Sequence, residues 1–491
     1  SIYYKVDAPR QKLEEIAQSL IEHNLIETAY IKPGAEPPLW QSNVLPTFDE
    51  PPAVTPDFTS RQGYLLAAPG GIDAVHAWTL NGGRGADVQI IDIEGAWRFM
   101  HEDLLQNSGG VVGGTPSTDL SWRNHGTAVI GEFGADVNGT GVTGICPDAI
   151  VRAISIFSAS GSASSAAAIS QAADRLRPGD IMLIELHRPG PRHNFTNRND
   201  QAGYIAVEWW PDDFDAIRYA VGKGVIVVEA AGNGGENFDD SLYDTPASGF
   251  PPGWTNPFNR SNRDSGAILV GAGAPPSGTH GREDHGPDRS RLSFSNYGAS
   301  IDAQGWGREV TTTGYGDLQG GTNEDLWYTD TFAGTSSASP IVVGTIGCVQ
   351  GVLRANGRIP LSPARVRELL RSTGSPQQDA IGRPVSQRIG NRPNIRELIT
   401  AASAQQTWTG EQFRGTVPAN QTARWFTHSW PAHWHVVWTI VPVSVGTGAP
   451  QISWRVQVER TSDALITYWL NVNNKSSAPV EIAARFAVLG W

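Results

Sequence analysis

The chain has 491 residues, 39% of them hydrophobic and 18% charged, with a formal net charge of −12. That length exceeds one ordinary domain and predicts two or three. The acidic balance argues against a nucleic-acid partner, and no run of about 18 apolar residues is present to predict a membrane span. Ser1-Ile2-Tyr3-Tyr4 shows neither a basic nor an apolar leader, so any signal peptide is expected to be already gone or never present. Cys146 and Cys348 lie among apolar or small residues and read as small buried hydrophobes, not as a disulfide or a metal pair.

Residues 1–32 read as a small βαβ unit, with strands over Ile2–Val6 and Leu25–Ile31 around a helix presenting Leu13, Ile16, Ala17, Leu20 and Ile21 on one face. Residues 33–58 form a proline-rich linker of extended character. From 59 to 403 strand and helix patterns alternate, which predicts a parallel α/β sheet. Strands are expected over Val88–Asp92, Ile150–Phe157, Ile181–Leu186, Gly224–Ala231 and Ile268–Ala272. Helices are expected over Ala163–Leu176, Phe214–Val221 and Pro363–Arg371. Residues 404–491 change character. Four strand-like runs, the first Trp434–Val443 and the last Val480–Leu489, are separated by turn residues and predict an all-β sandwich. Trp408, Trp425, Trp430, Trp434, Trp438, Trp454, Trp469 and Trp491 all fall here, as a core or as stacking surfaces for sugars or peptides.

Four polar positions stand out. Gly334-Thr335-Ser336-Ser337-Ala338-Ser339-Pro340 precedes an apolar run of helical spacing that stops at Gly357. Ser336 would therefore sit at a helix N-terminus, where unpaired N–H groups favour developing negative charge. Asp92 closes a buried strand, His125 stands near a helix start, and Asn233 stands at a strand exit. A nucleophilic serine needs an imidazole to take its proton, a carboxylate to orient that imidazole, and a donor for the oxyanion. Singly, each residue also has an ordinary explanation as a cap, a core histidine or a turn asparagine.

The local words around these residues, in this order, resemble the subtilisin-like serine proteases. They are Ile90-Ile91-Asp92-Ile93, His125-Gly126-Thr127-Ala128-Val129-Ile130-Gly131, Ala231-Gly232-Asn233 and Gly334 to Pro340. Gly144 to Ala149 and Ser293-Phe294-Ser295-Asn296-Tyr297-Gly298, taken as a late strand, agree. The resemblance implies a subtilisin-like parallel sheet of seven strands with helices on both faces. It also implies a serine endopeptidase acting on proteins or peptides, secreted or periplasmic, with no cofactor required for the chemistry. Asp92, His125 and Ser336 would be the triad, and Asn233 with the Ser336 N–H the oxyanion hole. Glu185, Leu186, His187 and Gly232 would line the substrate site. Asp103 and Asn138 match calcium-binding positions of the family, so a structural calcium is implied there.

Several features depart from that pattern. Glu94 follows the expected triad acid closely, as a surface residue or as an influence on His125. His187 and Arg188 would make one cleft wall larger and more polar. The acids Glu236, Asp239, Asp240 and Asp244 form a solvated loop or favour a basic side chain before the cut. Residues 1–32 resemble part of the family's propeptide, implying a zymogen if they are retained. The alternative to an active protease is a binding or adhesion protein whose protease domain is blocked, with a carbohydrate or surface ligand at the β-domain.

Overall fold

The computed structural model describes residues 3–38, 47, 51–282, 284–404 and 408–490. Its centre is a seven-stranded parallel sheet, in which Ser108–Gly113, Ile150–Ser155, Gln89–Glu94, Ile181–Ile184, Ile226–Ala230, Ile268–Gly273 and Ile301–Trp306 lie side by side in that order. Successive strand residues point to opposite faces. Ile90, Leu183 and Val228 accordingly join one apolar layer, and Ile91, Met182 and Val227 the other. Helices Leu120–Gly134 and Thr335–Ala355 cover the first face, and Ser165–Arg175 and Pro211–Gly222 the second. The helix Thr335–Ala355 is long and apolar enough by composition to cross a membrane, yet its apolar window is buried throughout in the protein core.

Two strands of this sheet escaped the sequence pattern. Ser108–Gly113 is rich in glycine, and Ile301–Trp306 buries Asp302 and Gln304. Arg260 binds Asp302, and the Gln304 amide donates to the Gly390 carbonyl at 2.7 Å. Such paired polar groups are tolerated inside a sheet but break an apolar run. Ser293 to Gly298, expected as a strand, is a turn segment touching Asn237 through a single bridge at Tyr297. Both cysteines are free and buried.

The N-terminal unit differs from the expected βαβ. Only its helix forms, over Leu13–Ile21; Tyr3 to Val6 and Leu25 to Ile31 are not strands, and Ile2 lies outside the described residues. The alternating residues serve polar docking instead. Tyr3 OH donates to Asp215 at 2.7 Å and Tyr30 OH to Asp212 at 2.8 Å, so this segment lies along the α/β body without adding to a sheet. Much of the proline-rich stretch, 39–46 and 48–50, lies outside the described residues.

Residues 408–490 form two three-stranded antiparallel sheets. One holds Trp408–Val417, Val480–Gly490 and His435–Pro442; the other holds Thr422–Pro431, Leu465–Asn474 and Ile452–Arg460. Trp430 and Trp438 pack in the core between them, whereas Trp408 and Trp454 are exposed and Trp491 lies outside the described residues.

Candidate active site

Three elements converge at the C-terminal edge of the sheet, where ligands bind in open α/β folds. Gln89–Glu94 ends there on Glu94, Leu120–Gly134 carries His125 in its second turn, and Thr335–Ala355 begins beside Ser336. Asp119 starts the histidine helix by accepting from Ser121 N. Gly126 lets that helix close on the chain leaving the strand, since a methyl group there would collide with the Ala96 carbonyl. Gly334 takes φ 119° just before the serine helix, and a Cβ on it would lie 3.2 Å from Asn233 Nδ2.

The carboxylate beside the histidine is Glu94. Its Oε2 lies 2.7 Å from His125 Nδ1, and both side chains are fully buried. Asp92, expected in that position, accepts instead from Trp97 Nε1 at 2.7 Å. Residues two apart on a strand share a face, so Asp92 and Glu94 point the same way, and Glu94 is simply the one nearer the sheet edge. The surface reading of Glu94 is thereby excluded. Asp92 stands directly behind it, with its own pKa pushed well up by burial and then by Glu94. Glu94 is raised by burial and then by Glu185. Burial drives His125 down to about 3, which keeps its imidazole neutral at neutral pH. His125 Nε2 has no hydrogen-bond partner among the described residues.

Asn233 is held by four groups. Its Oδ1 accepts from Thr335 N at 2.9 Å and from the Thr335 hydroxyl at 3.1 Å. Its backbone N–H donates to His187 Nδ1 at 3.3 Å, and its Nδ2 to Gln201 Oε1 at 3.3 Å. The same Nδ2 donates at 2.6 Å to the Pro38 carbonyl, toward which the Ser336 hydroxyl also donates at 3.3 Å. A peptide carbonyl of the chain's own N-terminal segment thus occupies the site. Replacing Asn233 by alanine is expected to lower kcat by about 10²–10³ while KM changes little, measured on a soluble peptide substrate.

The other expected cleft residues take more varied places. The backbone of His187 pairs with Glu36, and its imidazole is buried, with Nδ1 accepting from Asn233 N and the ring packed against Tyr204. Gly232 N donates to the Thr335 hydroxyl at 3.1 Å, which ties the asparagine turn to the serine helix. Leu186 belongs to the apolar layer on the second sheet face. Arg188 turns away from the cleft and donates to Ser165 Oγ at 2.6 Å and to the Pro33 carbonyl, beside Asp213. Glu185 accepts from Ser339 Oγ and adjoins Ser336, with its pKa raised well above normal by burial. The acidic loop is used internally: Glu236 and Asp240 bind Arg192, Asp239 accepts from Ala299 N, and Asp244 accepts from Asn256. Gln201, which no motif marked, bridges Asn233 and the Pro37 carbonyl from a backbone at φ 52°.

Asp103 and Asn138 do not converge on a common cation. Asn138 Nδ2 donates to Asp103 Oδ1 and Val142 N donates to Oδ2, each at 2.7 Å. Asn138 Oδ1 is turned to Thr140 N instead. Among the described residues no group of three or more acids, histidines or cysteines is poised around one point. These two positions do not fit a calcium site, which needs six to eight converging oxygens.

A further buried acid, Glu132, follows His125 on the same helix and has no partner for either oxygen among the described residues. Burial, then Glu185, pushes its pKa well up, which favours the protonated form in the folded protein. A raised folded pKa favours folding below the ordinary carboxylate range and costs stability as pH rises toward the folded value. Glu132→Gln is therefore expected to raise Tm by about 2–4 °C at pH 8, with a gain that vanishes near pH 4 in paired thermal melts.

The sequence profile of the Subtilase family matches residues 101–393. Thermitase of Thermoactinomyces vulgaris is 29% identical over 330 residues, which cover 65% of this chain and 90% of that protein. Subtilisin DY of Bacillus licheniformis is 26% identical over 294 residues, covering 60% and 86%. The solved structure of the prenylagaramide maturation protease PagA aligns over 68% of this chain and 99% of its own, at 18% identity and a TM-score of 0.45. With the family profile spanning more than half of the sequence, the chain belongs to the subtilase family and is a serine endopeptidase.

Proposed function

We propose that peptide hydrolysis runs through Ser336, His125 and Glu94, with Asn233 and the Ser336 N–H binding the oxyanion. His125 Nδ1–H donates to Glu94, which leaves Nε2 free to take the Ser336 proton as Oγ attacks the carbonyl carbon. The negative charge that develops on the carbonyl oxygen meets Asn233 Nδ2 and the helix N-terminus. His125 then protonates the leaving amine, and a water molecule, activated by the same imidazole, releases the acyl group from Ser336. The observation that carries this reading is the Pro38 carbonyl, bound by Asn233 Nδ2 at 2.6 Å and facing Ser336 Oγ at 3.3 Å. Similarity to a protein named as an extracellular protease of Xanthomonas campestris, 28% identical over 310 residues, supports action outside the cytoplasm on protein or peptide substrates. A fluorophosphonate probe should label Ser336 alone, located by peptide mass mapping. An active preparation that remains unlabelled at Ser336 defeats the reading.

A further inference from the structure

The N-terminal segment does more than lie near the active site: it enters the site in an extended, in-register arrangement. Glu36 N donates to the His187 carbonyl at 3.2 Å, and His187 N donates back to the Glu36 carbonyl at 3.0 Å. One residue on, the Pro37 carbonyl accepts from Gln201 Nε2 at 3.1 Å. The next carbonyl, that of Pro38, meets Asn233 Nδ2 and Ser336. Three consecutive carbonyls are therefore bound, the third at the nucleophile. Pro37 and Pro38 are both buried.

The register is anchored from upstream. Lys32 Nζ lies 2.7 Å from Asp212 and 2.6 Å from Asp213, and Arg188 donates to the Pro33 carbonyl. Tyr30 packs edge-on against Phe250 with ring centroids 5.1 Å apart. A slip by one residue would break these contacts and the Glu36 pairing together. Nor is this segment simply a plug. A plug needs no carbonyl aligned on the nucleophile, and Gly334 keeps that alignment open, because a Cβ there would lie 2.5 Å from the Pro38 oxygen.

The residue types say what the site selects. A proline brings no N–H into this buried cleft, so neither Pro37 nor Pro38 needs an acceptor there. A diproline is also held extended before it binds, which lowers the ordering cost of docking. The residue preceding them is recognised by its side chain as well, since Glu36 Oε1 lies 3.5 Å from Gln201 Nε2 and its carboxyl interacts with the Tyr204 hydroxyl.

Resting on the reading of Ser336 as nucleophile, we propose that this protease is proline-directed. It cuts after the second proline of an acidic residue–proline–proline stretch, and its own bond between Pro38 and the next residue, Leu39, is the first such substrate. In that step Ser336 Oγ bonds to the Pro38 carbonyl carbon and the bond to the Leu39 nitrogen breaks. The Ser336 proton passes through His125 Nε2 to that nitrogen. Water then cleaves the ester, leaving a carboxylate on Pro38 and a free amino group on Leu39.

The test uses the full chain, its Ser336→Ala variant, and quenched peptides carrying the sequence of residues 33–42. Intact mass and N-terminal sequencing should find the wild type starting at Leu39 and the Ser336→Ala chain uncut. The peptide should be cut after its second proline, and its Pro38→Phe version should lose about tenfold or more in kcat/KM. Its Glu36→Ala version should lose less, chiefly through KM. Fluorophosphonate labelling runs in parallel. A Ser336-labelled enzyme that prefers the phenylalanine peptide, or cuts the chain elsewhere, overturns the proline proposal and leaves the serine mechanism standing. An intact, unlabelled and inactive chain overturns both.

Discussion

Ser336→Ala is expected to lower kcat by on the order of 10⁶, because in the proposed mechanism its hydroxyl is the group that bonds to the substrate. The substitution suits the fold. Ser336 is fully buried in the first turn of a 21-residue helix, where alanine has high helix propensity and leaves only a hydroxyl-sized space. Far-UV circular dichroism and Tm should therefore match the wild type while turnover vanishes. A residual rate above the uncatalysed one, of roughly 10³-fold, should survive through the oxyanion donors. That residue of activity depends on access. In the uncut variant the Pro38 carbonyl still lies on Asn233, so added peptide competes with a tethered segment. Active-site titration with measured kcat checks the prediction, and a variant retaining more than a hundredth of wild-type kcat would assign the nucleophile elsewhere.

The parts of this molecule that were legible in the sequence are those made of contiguous residues. The serine helix start, the asparagine at its strand exit and five of the seven sheet strands could be read because local spacing carries them. The errors have a common physical origin in contacts far apart along the chain. Asp92 and Glu94 share one strand face, and only the docked position of His125 decides between them. The alternating residues of Ile2 to Val6 and Leu25 to Ile31 imitate strands. Tyr3 and Tyr30 alternate to reach Asp215 and Asp212, more than 180 residues away, rather than to join a sheet. Likewise, Trp408–Val417 and Thr422–Pro431 mix polar and aromatic residues, and their strand character depends on pairing with Val480–Gly490 and Leu465–Asn474. Gln201 has no local signature because its function is defined by Asn233 and Pro37, residues that meet only in the folded cleft.

Glu94→Gln is expected to lower kcat by on the order of 10⁴, whereas Asp92→Asn should stay within about threefold of wild type. The difference follows from hydrogen-bond polarity. The proposed mechanism needs Nδ1–H of His125 donating to an acceptor, so that Nε2 is the basic nitrogen. A glutamine can turn its NH₂ toward Nδ1, which moves the ring proton to Nε2 and removes the base while leaving the packing almost unchanged. Asp92 faces the opposite demand. It accepts from Trp97 Nε1, and burial and then the neighbouring Glu94 push its pKa well up, which favours its neutral form. Asparagine is neutral as well and keeps an oxygen for the Trp97 bond, so little at this position should change. The pH profile separates the two positions further. The orienting carboxylate must be ionised, and Glu94 has its pKa raised by burial, so kcat/KM should fall on the acid side as Glu94 takes up its proton. Asp92→Asn should keep that acid limb, and Glu94→Gln should flatten it onto a low baseline. The reverse pattern, an inactive Asp92→Asn beside an active Glu94→Gln, would return the orienting role to Asp92 and require His125 to leave the Glu94 contact during turnover.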